Sequence, residues 1–124
     1  MGPEKTITNK LRDWAYMEYG RADAKGDGLL LIKKLTMLGM YGEVGHPDLE
    51  FNVKGGRTFL IEMKAPGKTS TPIQRQRQDE YRSLGFYVYE CDDLEEGKEF
   101  VRIEMCRIAD ELLTKARKRK KGAA

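Results

Sequence analysis

The chain is predicted to fold as an α/β domain in the order αβββαβα, a mixed sheet flanked by helices. Three observations lead there. Apolar residues recur at helical spacing near both ends, short alternating or β-branched runs lie between them, and glycine and proline punctuate the joins. The 124 residues allow one modest core. Residues 1–114 are expected to form a single domain, and residues 115–124 a basic C-terminal tail.

Ile7, Leu11, Trp14 and Ala15 share one stripe, which predicts a helix over Glu4 to Tyr19. Glu4 and Glu18 fall on that stripe too. A carboxylate on an apolar face asks for a partner, and a metal is one; helix-start charge after Pro3 explains Glu4 equally well. Leu29 to Leu35 reads as the first strand. Gly39, Gly42 and Gly45 then mark a loop, in which Met37 and Met40 read as packing residues.

Leu49, Phe51 and Val53 alternate with Glu50, Asn52 and Lys54, the period of a half-buried strand. Thr58-Phe59-Leu60-Ile61 opens its partner. A two-residue turn at Gly55-Gly56 would set Leu49 opposite Glu62 and mix apolar with charged side chains. A three-residue loop of Lys54, Gly55 and Gly56 sets Phe51 opposite Phe59 and Asp48 opposite Glu62. That register gathers the apolar residues on one face and leaves Asp48, Glu62 and Lys64 on the other, so burial selects it.

Thr71-Pro72-Ile73-Gln74 looks like a helix start with a cap, a proline at N1 and a capping-box glutamine, and Gly85 ends the helix. Phe86 to Cys91 is the last strand. Asp92 and Asp93 resemble extra metal ligands, but Asp93 with Glu96 is more simply the cap of a final helix from Leu94 to Leu113. Val101, Met105, Ile108 and Leu112 give that helix a wide apolar face.

The polar face of the hairpin carries the chemistry. Asp48 and Glu62 offer hard oxygen ligands for a divalent cation, and Lys64 places a positive charge beside them. Phosphodiester hydrolysis needs such a set, because charge on the phosphate must be neutralised and a water activated near neutral pH. His46, the only histidine, reads as a general base, a phosphate contact or a loop residue held extended by Pro47. Lys68, Arg75, Arg77 and Arg82 make the middle helix a backbone contact or a solvated face.

Composition narrows the class. No long apolar run suggests a membrane span, and Cys91 and Cys106 lack metal-site spacing and read as two buried thiols of a reducing cytosol. The net charge of +3 hides an asymmetry. Lys115, Arg117, Lys118, Arg119, Lys120 and Lys121 are six of the 23 basic residues; the other seventeen are outnumbered by twenty acidic ones. The run reads as a phosphate handle or as a solvated helix end.

Gly45-His46-Pro47-Asp48, then Phe59-Leu60-Ile61-Glu62-Met63-Lys64-Ala65-Pro66-Gly67, then Ser70-Thr71-Pro72-Ile73-Gln74 together resemble the VRR-NUC domain, from about Glu4 to Phe100. This virus-type replication-repair nuclease domain is a branch of the PD-(D/E)xK superfamily, related in fold to archaeal Holliday junction resolvases. The resemblance implies a restriction-endonuclease-like core and a Mg²⁺- or Mn²⁺-dependent, structure-selective DNA endonuclease. Carried over by position, Asp48 and Glu62 hold the metal, helped by the Met63 backbone carbonyl and Glu4. Lys64 is the catalytic lysine, and Gln74 matches the family's helix glutamine.

The expected substrate is branched DNA in replication, recombination or repair of viral or phage type. The expected assembly is a homodimer in the cytoplasm, the host's if viral. A non-catalytic branched-DNA-binding module and a restriction-type endonuclease are the alternatives.

Overall fold

A computed structural model describes residues 2–35 and 45–122. Its elements are α1 (Pro3–Tyr19), β1 (Leu30–Lys34), β2 (Leu49–Val53), β3 (Arg57–Met63), α2 (Pro72–Ser83), β4 (Tyr87–Cys91) and α3 (Leu94–Gly122). The order is the one expected. Met37, Gly39, Met40 and Gly42 of the glycine-marked loop lie outside the described residues, and Gly45 lies inside them.

The four strands lie in the order β1-β2-β3-β4. The first three are antiparallel, and β4 runs parallel to β3 after the crossover through α2. The hairpin takes the three-residue loop: Val53 pairs with Arg57, Phe51 with Phe59 and Leu49 with Ile61. Gly55 and Gly56 both have positive φ, which a side chain would resist. Phe51 and Phe59 stack with ring centres 4.7 Å apart.

One sheet face forms the main core. Leu49, Phe51, Val53, Phe59, Ile61 and Met63 meet Leu11 and Ala15 of α1 and Val101, Met105 and Ile108 of α3. Gly97 lets these layers approach, since a Cβ there would come within 3.0 Å of Leu11 and 3.1 Å of Cys91. The other face of β3 is also covered, with Leu60 and Glu62 buried, so this central strand reads as a nearly unbroken buried run.

The β1 edge is partly closed from within. The Tyr16 hydroxyl accepts from Ile32 N–H at 2.7 Å and donates to the Ile32 carbonyl at 3.3 Å, so a side chain occupies backbone groups that an edge strand would offer to another chain.

Several expectations need correction. The buried stripe of α1 is Thr8, Leu11 and Ala15, and Glu4 and Glu18 are both exposed, because the stripe faces the sheet only in mid-helix. Cys91 is buried, but Cys106 is exposed at a groove that it lines with Tyr19 and Leu29. Helix α3 runs on to Gly122, so the basic residues from Lys115 to Lys121 continue a regular helix; lysine and arginine are good helix formers. Of its apolar residues Val101, Met105 and Ile108 are buried against α1 and the sheet, whereas Ile103 and Leu113 are exposed.

A buried polar cluster on this side was not foreseen. Glu104, fully buried, accepts from Tyr89 Oη at 3.0 Å and from Arg107 Nε and Nη2 at 3.0 and 2.8 Å. Arg107 also bonds Glu111 and lies 3.8 Å over the Tyr87 ring. Burial and the Glu104 carboxylate push the Tyr89 hydroxyl up to about 12.

Candidate active site

Three carboxylates lie in a row across the end of the sheet. Asp48 stands one residue beyond the Leu49–Ile61 pair, and so opposite Glu62, and Glu62 pairs with Glu90 on β4. Side chains alternate between faces, so all three leave the main core for the face that α2 overhangs.

Each carboxylate is held differently. Asp48 Oδ2 accepts from the Met63 N–H at 2.8 Å, which fixes it against β3. Glu90 is turned toward α2, where it accepts from Ser70 Oγ; Gln78 Nε2 donates to the same hydroxyl at 2.8 Å. Glu62 is almost wholly buried, and its Oε2 is the one buried side-chain polar atom without a hydrogen-bond partner among the described residues. Its Oε1 lies 3.4 Å from Lys64 Nζ.

The electrostatics follow from this crowding. Burial, then the neighbouring Asp48 charge, push the Glu62 carboxyl up to about 8, against the pull of Lys64. Burial also raises Asp48; its bond from Met63 opposes this, and Glu4 adds to it. A buried carboxylate with one oxygen left without a partner, beside a second carboxylate, is costly as built. A cation held between them would remove that cost. The donor set suits a hard divalent ion: Asp48, Glu62 and the nearby Met63 backbone, all oxygen donors. Among the described residues no three His, Cys, Asp or Glu side chains gather as a metal-holding group. Glu4 is exposed in the first turn of α1, and its charge adds to the upward push on both carboxyls. Glu18 is fourteen residues further along the same helix, about 21 Å away.

Lys64 is anchored from the other side. Gln74 Oε1 accepts from Lys64 Nζ at 2.5 Å and from the Thr71 N–H at 2.9 Å, while Thr71 Oγ1 accepts from Gln74 N–H at 3.3 Å. The capping and site readings of Gln74 therefore meet in one oxygen.

The geometry of this domain has counterparts among solved structures. One, described as "VRR_NUC domain", superimposes with a TM-score of 0.65 at 17% identity, covering 82% of this chain and 97% of its own. A second, described as "VRR_NUC domain protein", gives 0.61 at 19% identity, covering 80% and 84%. The fold is that of a VRR-NUC domain. No protein-family model and no curated protein matches the chain.

Within this VRR-NUC fold the other candidate residues divide. His46 borders the site: its Nδ1 lies 3.0 Å from Tyr81 Oη of α2, with the rings edge to face. Gly45, at positive φ, would press a Cβ to 3.2 Å from the Ile73 backbone, so Gly45 itself is seated on the start of α2. Lys68 and Arg75 are exposed nearby, Lys68 in the β3–α2 connection and Arg75 on the outer side of α2. Arg77 pairs with Glu80 at 2.7 Å and Arg82 with Asp79 at 3.1 Å, so both charges are partly neutralised.

Asp92 accepts from the Gly67 N–H and Asp93 caps α3 at Glu96, so both have structural work. Ser70, Gln78 and Glu90 were missed in the sequence. Only the alternation of Val88 and Glu90 with Tyr87 and Tyr89 hints that Glu90 leaves the core. The basic residues at 115–121 are not at the site.

Proposed function

We propose that this chain is a Mg²⁺- or Mn²⁺-dependent DNA endonuclease acting on branched DNA. The observation that carries the reading is the buried, unpartnered Glu62 Oε2 beside Asp48 and Lys64 at the end of the sheet. The nuclease name of the two similar structures supports it. Asp48, Glu62 and the Met63 carbonyl would hold the ion, with Glu4 adding negative potential. Bound there, a divalent cation supplies charge neutralisation at a phosphate and a water of lowered pKa.

The chain's own residues do the rest. Lys64 presents its ammonium to the charge that develops on the phosphate, and Gln74 holds that ammonium in place. Ser70 and Gln78 keep Glu90 directed away from the Asp48–Glu62 pair. His46, Lys68, Arg75 and, less strongly, Arg77 supply contacts to phosphates flanking the cut.

A homodimer fits this reading for four-way junctions, because one chain carries one catalytic set and paired incision needs two. Among the described residues no helix is long and apolar enough to cross a membrane, and action on cytoplasmic DNA, in a host cell if the source is viral, is part of the proposal.

The test is a panel of synthetic four-way junctions, flaps and linear duplexes incubated with Mg²⁺, Mn²⁺, Ca²⁺ or EDTA. Cutting of branched substrates with Mg²⁺ or Mn²⁺ alone is expected. A protein that cuts none of them with either metal is not the proposed enzyme.

A further inference from the structure

Helix α3 changes sign along its length. From Leu94 to Thr114 it carries six acidic and three basic residues; from Lys115 to Gly122 it carries six basic and no acidic ones. The basic residues of the first part are matched locally: Lys98 with Glu95, Arg102 with Glu99, and Arg107 with Glu104 and Glu111. Among the described residues, none of Lys115, Arg117, Lys118, Arg119, Lys120 and Lys121 makes an ion pair, and all are exposed. A helix decorated only for solubility interleaves its signs; this one leaves six cations unmatched over two turns.

The topology fixes where they stand. Strands β3 and β4 both run toward the Asp48–Glu62–Lys64 end, and α3 starts at that end, capped by Asp93 just after β4. It then runs back along the core. Leu112 lies against Gly55 of the β2–β3 hairpin, and Glu111 pairs with Arg57 at 3.5 Å. Lys115 and Lys118 line a groove with Arg57, Arg107 and the carboxylates of Asp110 and Glu111 at that hairpin end, and the rest of the run lies beyond it. From Arg57 to Met63 is six strand rises, about 20 Å. From Leu112 to Lys121 is nine helical rises, about 13 Å more.

We infer that residues 115–121 of α3 form a second DNA-backbone contact, about 24–33 Å from the carboxylate site, which grips a duplex arm at a distance from the branch. This rests on the nuclease reading above. At about 3.4 Å per base pair the separation corresponds to roughly seven to ten base pairs. The partner chemistry follows from the residues. The charge surrounds the helix on all sides, and only Ala116 interrupts it. An anionic membrane surface would ask for an apolar face, which this segment lacks, whereas a polyphosphate rod needs only cations.

The experiment is metal-free binding, followed by fluorescence anisotropy in EDTA, on four-way junctions with arms of 4, 8, 12 and 20 base pairs. Three proteins are compared: the full chain, a chain ending at Thr114, and a full-length variant with all six basic residues changed to glutamine, which keeps the helix. Circular dichroism melting checks that each is folded. The full chain should gain at least about tenfold in affinity between the 4- and 12-base-pair arms, and neither variant should. Its slope of log affinity against log salt should also be steeper by several units on long arms.

Equal gains in all three proteins would overturn the inference. So would a tail effect already complete at four base pairs, since that places the contact at the branch. So would tail-dependent binding to phosphatidylserine vesicles that exceeds binding to DNA at equal salt. Mg²⁺ and Mn²⁺ cleavage of the same junctions is scored separately: failure to cut removes the nuclease reading, while failure of arm-length dependence removes only the remote contact.

Discussion

Lys64 and Gln74 share a hydrogen bond of 2.5 Å, and the oxygen that Gln74 uses is the same one that closes the capping box of α2. The strand that carries the lysine is thereby tied to the first turn of the helix beside it. A mobile lysine side chain becomes a positioned one, because its partner is itself held by the helix start.

This relationship separates two roles by mutation. Gln74→Ala should remove part of the cap, costing about 1 kcal/mol of stability, and should also release Lys64, lowering the cleavage rate by roughly tenfold or more. Thr71→Ala removes the reciprocal cap bond and should cost similar stability while leaving most of the rate. Urea unfolding beside single-turnover cleavage reads both. Equal rate losses in the two variants would mean that Gln74 acts only as a cap.

The carboxylates and the lysine should be needed for chemistry more than for binding. Asp48→Asn and Lys64→Ala are expected to lose roughly 10²-fold or more in cleavage rate, with junction binding in EDTA largely retained. Wild-type rates in either purified variant would move the site elsewhere.

The raised Glu62 carboxyl makes a prediction about stability and pH. An acid whose folded pKa is about 8, against an ordinary 4.5, binds an extra proton in the folded state between those values. Its contribution is fully present below about pH 4.5 and is lost as pH rises through 8, so metal-free protein should weaken over that window, by on the order of a few kcal/mol from this group. Glu62→Gln should flatten the loss. If Glu62 is a ligand, Mn²⁺ must displace that proton, and the rise in Tm on adding Mn²⁺ should be larger at pH 8 than at pH 5.5. Scanning calorimetry across pH checks it; an equal Mn²⁺ effect at both pH values would detach the metal from Glu62.

The hairpin was legible because its two strands admit only one register that keeps Leu49, Phe51, Val53, Phe59 and Ile61 together, and that register carries Asp48 to Glu62 without further assumption. Glu90 was not legible, since its place beside Glu62 depends on a parallel pairing made across a whole helix. The apparent apolar stripe through Glu4 failed for a local reason: helical periodicity says which residues share a line, not how much of that line the sheet covers. Cys106 misled similarly, one position from buried Met105 but at the exposed rim where α3 meets Tyr19 and Leu29. The periodicity sets the end of the final helix at Leu113, where its apolar face stops, yet helix propagation needs no apolar face once α3 is nucleated, and α3 runs on to Gly122.

Glu104 shows the same limit and yields the last prediction. By spacing Glu104 and Arg107 are an i,i+3 pair, which on an exposed helix face would be worth a few tenths of a kcal/mol. In the fold Glu104 is fully buried, with Tyr89 from β4 and a two-pronged Arg107 completing its bonds. Removing one partner should then cost far more than a surface pair would. Arg107→Ala leaves a buried carboxylate with only the Tyr89 hydroxyl, and should destabilise by about 3 kcal/mol. Replacing both partners, Glu104→Leu with Arg107→Leu, should recover much of that loss, since no buried charge then remains. Tyr89→Phe should cost less, about 1–2 kcal/mol, because the guanidinium still pairs the carboxylate. Chemical denaturation of the three variants tests the order. An Arg107→Ala change within a few tenths of a kcal/mol of the parent would mean that Glu104 reaches solvent and that the buried pair does not hold α3 to β4.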